Sequence, residues 1–300
     1  MRLKYFKNSI AVILMVIQCA IFGFSFIIIK KLIAYNCPTF FILSIRFFIG
    51  TITLFIVRIL SKKKLLFDKQ SVIFGIICGG VMFIAFSLQT YGASYTSPDN
   101  NALFTGLYVI FVAIISMLQR RKVTLVVPLC SLISLVGAAL ISGFTINELT
   151  FNNGDIISII CGLWFAIHFV LLEKYAPDVD LLAFTMVQLG TVSVMSSVIS
   201  FCHEADKYSQ IVWKESLSCL IFLGIISTAL TYLIQSYVQT KISANVVSNI
   251  SCLESVFAVF FSLLLGYVQY SNKFIIGFII LLIAMILITQ NSSQKNGSAI

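Results

Sequence analysis

Charged residues are scarce in this 300-residue sequence, where Asp, Glu, Lys and Arg together make up only 10 %. Soluble domains carry about 25 % charged residues, so this composition excludes an ordinary soluble enzyme or binding module. Histidine occurs only twice, and the eight cysteines are scattered, with no Cys-x-x-Cys or Cys/His spacing for zinc. The sequence therefore predicts no metal site and no cofactor, and its cysteines are typical of small apolar packing residues.

Long polar loops are also missing, and what fills the chain instead is a series of apolar segments about as long as a bilayer is thick. The ten segments lie near residues 9–29, 39–60, 70–91, 98–118, 124–144, 153–173, 180–201, 216–238, 243–267 and 273–290. No convincing cleavage site follows the first segment, so we expect it to remain as the first helix. Backbone groups in hydrocarbon must pair internally, and the sequence therefore predicts an all-α integral membrane protein with ten transmembrane helices.

The net charge of +9 comes from short basic loops, which favours a membrane orientation signal over nucleic-acid binding. With the N-terminus in the cytoplasm, fourteen Lys and Arg residues lie on the cytoplasmic side and five on the outer side. The predicted cytoplasmic residues are Arg2, Lys4, Lys7, Arg58, Lys62, Lys63, Lys64, Lys69, Arg120, Arg121, Lys122, Lys174, Lys241 and Lys295. We therefore expect a multi-pass protein of the plasma (inner) membrane with both termini in the cytoplasm.

The second half of the sequence repeats the first. Segments 3 and 4 align without a gap on segments 8 and 9 at a spacing of 146 residues, and earlier segments align at 142. The aligned pairs include Gln89 with Gln235, Tyr91 with Tyr237, Ser97 with Ser243, Phe22 with Trp164, and Arg46 with Gln188. An odd number of helices per copy predicts two inverted five-helix repeats, residues 1–147 and 148–300, with a binding site near the midplane between them.

One carboxylate, Glu254, lies in the middle of segment 9. A charge at bilayer depth costs roughly 2.5–3.5 kcal/mol on insertion scales, so such residues rarely face lipid and are functional candidates by default. Two roles remain open for Glu254: a charge or proton site in a wet cavity, or a neutral carboxyl hydrogen-bonded to a neighbouring helix.

Other polar side chains recur at helical spacing in corresponding segments, which predicts polar faces at mid-membrane depth. These are Asn101, Thr105 and Tyr108 in segment 4, Ser251 in segment 9, Thr228, Tyr232, Gln235 and Gln239 in segment 8, Gln89 in segment 3, and Trp164 and His168 in segment 6. Structural alternatives stay open for them, because Ser and Thr bond back to their own helix and Gln pairs helices. Trp164 also fits core packing, and His168 fits a neutral imidazole that is hydrogen-bonded internally.

Arg46 is the one Lys or Arg residue that lies well inside an apolar segment, away from its ends. A structural role, in which it pairs with carbonyl groups or a carboxylate, is open to it. It could equally supply the counter-charge for an anionic group of a substrate. Glu254 is a candidate partner, but no sequence argument establishes that contact.

These residues resemble the drug/metabolite transporter superfamily and, within it, the EamA family of ten-helix carriers. The resemblance rests on IFGFSFIIIK in segment 1, on Arg46 before an aromatic pair, and on the paired stretches QTYGASYTSPDNNALFTGL and QSYVQTKISANVVSNISCLESVFA. The chain departs from the family at Ser255, where the family has Pro, so the resemblance implies no proline hinge there. It implies a secondary carrier for small organic solutes, amino acids or other metabolites, often an exporter.

We therefore expect a non-enzymatic secondary transporter that works by alternating access, with a small-molecule solute and the lipid bilayer as partners. A proton or another ion is a candidate coupling partner, and both monomer and homodimer remain open. The predicted substrate-binding residues are Phe24, Gln89, Asn101, Thr105, Tyr108, Trp164, His168, Tyr232, Gln235, Ser251 and Glu254, with Arg46 structural or a counter-charge. The rival functions are a membrane-embedded enzyme, which lacks a catalytic cluster here, and a channel, which lacks a recognisable filter.

Overall fold

The fold is all-α: the residues that the structure describes form helices joined by short turns, with no strand among them. A computed structural model of the chain describes residues 2–63, 67–93, 95–96, 98–119, 124–141, 152–267 and 272–297. The helices in chain order are α1 (Arg2–Ala34), α2 (Thr39–Leu60), α3 (Lys69–Ala93), α4 (Pro98–Thr105), α5 (Tyr108–Leu118), α6 (Val126–Ile141), α7 (Asn153–Tyr175), α8 (Leu181–His203), α9 (Trp213–Gly224), a π-helix (Ile225–Leu230), α10 (Thr231–Gln239), α11 (Ala244–Ser251), α12 (Leu253–Leu264) and α13 (Asn272–Gly297). Two short 3₁₀ helices, Ala176–Asp178 and Ala205–Gln210, precede and follow α8. The predicted domain boundary at 147/148, Ser97 of the repeat, and the predicted cytoplasmic residues Lys64, Arg120, Arg121 and Lys122 lie outside the described residues.

The apolar helices agree with the predicted membrane segments in position and type. Among the described residues, the 8 helices that are long and apolar enough to cross a membrane are Ser9–Ala34, Thr39–Leu60, Lys69–Gly92, Asn153–Asp178, Leu181–His203, Trp213–Gln239, Ala244–Leu264 and Asn272–Gln290. Two shorter apolar helices, Leu103–Leu118 and Val126–Ile141, lie where segments 4 and 5 are predicted. The all-α membrane fold is confirmed, with eight membrane-length helices and two shorter ones where the sequence predicts ten spans.

Helices α2 and α8 are equivalent in the two halves of the sequence, and they pack against each other in opposite directions. At one end, the Glu204 carboxylate that follows α8 accepts hydrogen bonds from the backbone N–H groups of Phe40 and Phe41 in the first turn of α2, at 3.1 and 2.9 Å. At the other end, Arg58 in the last turn of α2 pairs with Asp180, the N-cap residue of α8, at 2.9 Å. Equivalent helices that run antiparallel are what an inverted repeat requires.

Asp180 joins the two halves at one end of this helix pair. Its side chain caps α8 by accepting the backbone N–H of Leu182 at 3.0 Å, and it also accepts a hydrogen bond from Lys63 at 3.2 Å, in addition to that from Arg58. Burial raises the pKa of this carboxyl, but the hydrogen bonds from Arg58 and Lys63 outweigh burial and hold the pKa below its ordinary value. Asp180 is therefore expected to remain ionised at neutral pH.

In the other large helix pairs, too, a helix of one half packs against a helix of the other half. Helix α1 packs along α12, and its counterpart α7 packs along α4 and α5. Helix α3 packs against α7 and α8, while its counterpart, formed by α9, the π-helix and α10, packs against α1 and α2. Helix α6 packs against α13, its own counterpart. The largest interfaces therefore join one half to the other, and the buried core lies between the repeats.

Two equivalent segments are interrupted at equivalent points. Helices α4 and α5 meet at Gly106 and Leu107, and α11 and α12 meet at Cys252, 146 residues after Gly106. At both joints a backbone N–H bonds three residues back, from Leu107 to Phe104 and from Cys252 to Asn249, at 3.3 Å each. A mid-helix stretch with this 3₁₀ geometry often marks a hinge. The sequence predicts one continuous helix at each place, and the second joint forms although Ser255 replaces the proline of the family.

Candidate functional site

The candidate site begins with Arg46 on α2, a cation that is only 3 % exposed. Its Nε donates to the hydroxyl of Thr228 at 3.0 Å, and its Nη2 donates to the backbone carbonyl of Ser227 at 3.3 Å. Both acceptors belong to the π-helix, in the middle of the span formed by α9 and α10. The guanidinium also lies 5.4 Å from the centre of the Phe47 ring. Arg46 therefore joins the first half to the second at mid-helix depth.

Glycine residues bring α2 close enough to the π-helix for these contacts. A Cβ atom at Gly224 would lie 2.4 Å from the Cβ of Ile49, and one at Gly50 would lie 3.0 Å from the Cγ2 of Thr228. Real Cβ atoms essentially never approach a neighbour as closely as 2.4 Å. The short distance between α2 and the π-helix therefore depends on glycine at position 224.

An uncharged contact lies at the equivalent position in the repeat. Gln188 follows Arg46 by 142 residues, and Met82 precedes Thr228 by 146. Just as Arg46 bonds to Thr228, the Nε2 of Gln188 lies 3.7 Å from the Sδ of Met82. The two equivalent contacts thus join equivalent helices, but they differ in charge. The first half has the cation of Arg46 at this position, and the second half has the neutral amide of Gln188.

Tyr232 lies at the centre of the aromatic contacts around Arg46. Its ring is 5.7 Å from Phe22, 6.0 Å from Phe47 and 6.5 Å from His168, measured between ring centres. The hydroxyl of Tyr232 is near enough to Arg46 to interact with it electrostatically. Phe47 is fully buried and Tyr232 is 4 % exposed, so these rings form a packed aromatic cluster beside the cation.

One turn further along α10, Gln235 connects α10 to α1. Its Oε1 accepts a hydrogen bond from the Nε2 of Gln18 at 3.3 Å. The Oε1 of Gln18 is buried and has no partner among the described residues. A buried amide oxygen without a partner is costly, and it could accept a hydrogen bond from a solute or a water molecule.

Glu254 lies in the first turn of α12, two residues after the joint at Cys252. The side chain is half-buried and forms no hydrogen bond or ion pair with the described residues. It is close enough to Cys19, Tyr108 and Tyr232 to interact with them electrostatically. The carboxyl of Glu254 therefore lies near side chains from α1, α5 and α10.

A second polar group connects α3, α4 and α7. The Nδ2 of Asn101 donates to the backbone carbonyl of Gln89 at 2.9 Å, and the hydroxyl of Thr105 donates to the Oδ1 of Asn101 at 3.3 Å. The same hydroxyl lies 3.9 Å from the Sγ of Cys161 on α7. Thr105 therefore lies on the same face of α4 as Asn101, as their spacing in the sequence predicts. It comes just before the joint that precedes Tyr108.

The predicted residues fall into neighbouring groups rather than one cluster. Tyr232 contacts His168 and lies near Arg46 and Glu254, whereas Gln89, Asn101 and Thr105 form the separate group described above. Trp164 is half-buried on α7, and the buried hydroxyl of Ser251 has no partner among the described residues. Phe24 lies in a different place: its ring packs 5.6 Å from Phe222 and 5.2 Å from Phe261, while Phe22 contacts Tyr232. Substrate binding by these residues stays a prediction.

Sequence reasoning did not single out Gln18, Phe22 or Ser227 as members of the site. Gln18 had a signal, because an amide in the middle of an apolar segment is costly to bury. Ser227 had none, because its nearer contact with Arg46 is through the backbone carbonyl, at 3.3 Å, and its hydroxyl accepts from the same nitrogen at 3.5 Å. In the part of the chain that the structure describes, no group of three His, Cys, Asp or Glu residues could hold a metal ion.

Antiparallel halves that enclose buried charged and polar side chains are typical of membrane proteins that transport solutes. The sequence model of the EamA-like transporter family matches residues 9–143 and again residues 152–290. The chain therefore belongs to the EamA-like transporter family, part of the drug/metabolite transporter superfamily, and it is a multi-pass membrane protein and a transporter. The resemblance deduced from the sequence motifs is confirmed.

Similar proteins agree with this family. The chain is 24 % identical over 279 residues to the "Uncharacterized transporter YoaV" of Bacillus subtilis, which covers 92 % of this chain and 95 % of the relative. It is 26 % identical over 224 residues to an "Uncharacterized transporter" of Archaeoglobus fulgidus, covering 70 % and 68 %. A solved crystal structure superposes with a TM-score of 0.77 at 14 % identity, over 96 % of this chain and 98 % of that chain. The likeness to that structure concerns the fold alone.

Proposed function

We propose that this transporter is a secondary carrier of small organic metabolites, amino-acid-like or related solutes, which it exports by alternating access. The two halves rock about a site between them, so that the site opens to one side of the membrane at a time. The observation that carries the proposal is the pair of equivalent joints, at Gly106 and Cys252, beside polar side chains at mid-helix depth. Interrupted helices of this kind surround the sites of many inverted-repeat transporters.

In the proposed site, Tyr232 and its aromatic neighbours contact the apolar part of the solute. The amides of Gln89, Asn101 and Gln235 and the hydroxyls of Thr105 and Ser251 orient its polar groups. Tyr108, Trp164 and His168 complete the wall, and Phe24 contributes from the cluster in which it packs. Glu254 supplies a charge or a proton site, because its side chain forms no hydrogen bond or ion pair with the described residues.

We place the protein in the plasma (inner) membrane with both termini in the cytoplasm, and we take a proton as its coupling ion. The bias of Lys and Arg toward one side supports this orientation. Under it, the Arg58–Asp180 pair lies at the cytoplasmic end of α2 and α8.

The test is counterflow in proteoliposomes that are loaded with members of a metabolite library. A carrier accumulates labelled solute against an unlabelled internal pool and saturates, whereas a channel does neither. Uptake that does not saturate, or the absence of counterflow for every library member, would contradict the carrier mechanism.

The role of Glu254 is tested by Glu254→Gln. We expect counterflow to persist or slow while its dependence on external pH is lost, because the amide cannot exchange a proton. The matched control is Glu215→Gln, which changes an exposed carboxylate at the start of α9. Wild-type transport by Glu254→Gln across the whole pH range would remove Glu254 from the coupling step.

A further inference from the structure

Two arginines on α2 are equally buried but differ in their partners. Arg46 and Arg58 are each 3 % exposed. Arg58 pairs with the carboxylate of Asp180 at 2.9 Å. Arg46 has no carboxylate within ion-pair distance among the described residues, and its acceptors are the neutral groups of Thr228 and Ser227. A buried charge ordinarily requires a partner of opposite charge, and at Arg46 the described residues do not provide one.

The guanidinium also has unused hydrogen-bonding capacity. The Nη1 nitrogen of Arg46 has no hydrogen-bond partner among the described residues. Nη1 carries two N–H groups, and each can donate a charge-assisted hydrogen bond to a carboxylate oxygen.

Three contacts hold the guanidinium in this position. Nε and Nη2 are fixed by the π-helix, and one face of the group lies beside the Phe47 ring. This fixed orientation leaves Nη1 as the end of the guanidinium without a partner among the described residues. Because Gln188 takes the equivalent place in the other half, the positive charge would select one orientation of a bound solute.

We propose that Arg46 is the specificity-determining residue of the transport site and that it binds a carboxylate group of the solute through Nη1. The substrate class is therefore organic acids and amino acids with a free carboxylate, rather than their neutral derivatives. This inference rests on the proposed carrier function. Glu254 forms no ion pair with Arg46 at 4.0 Å or less, so the anion site remains available to the solute.

The experiment measures binding by thermal stabilisation of the full-length protein in lipid nanodiscs. The probes are acetate, benzoate and L-leucine, each compared with its carboxamide at constant ionic strength in chloride. A ligand that binds the folded state raises the melting temperature with its concentration. We expect the acids to stabilise the wild-type protein and the amides to do so at least about tenfold more weakly, since a hydrogen bond to a charged group is lost.

Three variants locate the effect. Arg46→Gln introduces the side chain of the equivalent position and should weaken the binding of the acids about tenfold or more, to the level of the amides. Arg46→Lys keeps the charge without the planar fork and should weaken acid binding at least about threefold; it decides the question if Arg46→Gln does not fold. Gln188→Met, at the equivalent position in the other half, should retain the wild-type preference for acids.

Equal stabilisation by acids and amides in the wild-type protein would overturn the proposal, as would acid binding that is unchanged in both Arg46 variants. Counterflow on the same preparations separates this inference from the carrier function. Arg46-dependent acid binding without counterflow supports the anion site and contradicts the carrier. Counterflow of acids and amides at equal rates, unaffected by Arg46→Lys, supports the carrier and contradicts the anion site.

Discussion

The contact between Asp180 and Arg58 offers a direct test of the antiparallel pairing of the two halves. Asp180→Asn removes the negative charge but keeps a side chain that caps a helix about as well as Asp does. The variant therefore isolates the ion pair, in which Arg58 approaches to 2.9 Å and Lys63 to 3.2 Å. Asp180→Ala removes the cap of α8 as well as the ion pair.

The magnitude follows from the exposure of each partner. Arg58 is buried, so the loss of its charged hydrogen bond costs about 1.5–3 kcal/mol. The guanidinium retains the Phe67 ring 4.8 Å away, which keeps the loss below the roughly 3–5 kcal/mol of a fully uncompensated buried charge. The pair with the half-exposed Lys63 adds about 0–1 kcal/mol. We expect Asp180→Asn to destabilise the fold by about 2–3 kcal/mol, and Asp180→Ala by about 1 kcal/mol more.

The assay is thermal unfolding of the purified protein in detergent, followed by loss of the monodisperse fluorescent species. At about 2–4 °C per kcal/mol, Asp180→Asn should lower the melting temperature by about 4–12 °C. Glu204→Gln, at the far end of the same helix pair, is the matched comparison. The α2 helix of 22 residues is about 33 Å long, so the two effects should add. A wild-type melting temperature for Asp180→Asn would refute the pairing of α2 with α8 at this end.

The dependence of this effect on pH follows from the depressed pKa of Asp180. A carboxyl whose pKa is lower in the folded state stabilises the protein above its unfolded pKa of about 3.9, and the stabilisation is lost as pH falls through the folded value. The difference in melting temperature between wild type and Asp180→Asn should therefore be constant near neutral pH and shrink below about pH 4. A difference that grew with acidity would contradict the assigned direction.

Two further predictions concern packing and orientation. Gly224→Val should lower the melting temperature or prevent folding, because overpacking costs about 1–3 kcal/mol or more and a Cβ atom there would lie 2.4 Å from Ile49. Gly80→Ala, where a Cβ atom would meet nothing within 4 Å, is the control and should be neutral. A green fluorescent protein fused to the C-terminus should fluoresce in bacterial cells and be protected from external protease; cleavage from outside would reverse the predicted orientation.

Much of the architecture could be predicted from the sequence because the bilayer is a strong constraint. An apolar segment of about 20 residues has few alternatives to a helix, so the helices lie where they are predicted. The register of the repeat was also visible, since spacings of 142 and 146 residues align Arg46 with Gln188 and Gln89 with Gln235. The inversion of the halves follows from an odd number of helices in each copy, and α2 and α8 do run antiparallel.

The site was less accessible to sequence reasoning because its contacts join residues that are far apart in the chain. Arg46 meets Thr228 across 182 positions, and no local pattern distinguishes that neutral partner from Glu254. The rotation of α1 decides that Phe22, and not Phe24, contacts Tyr232. No proline in the sequence marks the π-helix or the joint at Cys252. Both therefore result from how the two halves pack.

The sequence by itself thus determined the membrane class, the helical segments, the duplication and the family, because each depends on composition or on spacing along one chain. The tertiary structure alone decided which charges are paired, where the equivalent helices are interrupted, and that the neutral groups of Thr228 and Ser227 are the partners of Arg46. The physical reason is that two copies with similar backbones present different side chains to their shared interface, and only packing selects the contacts between them.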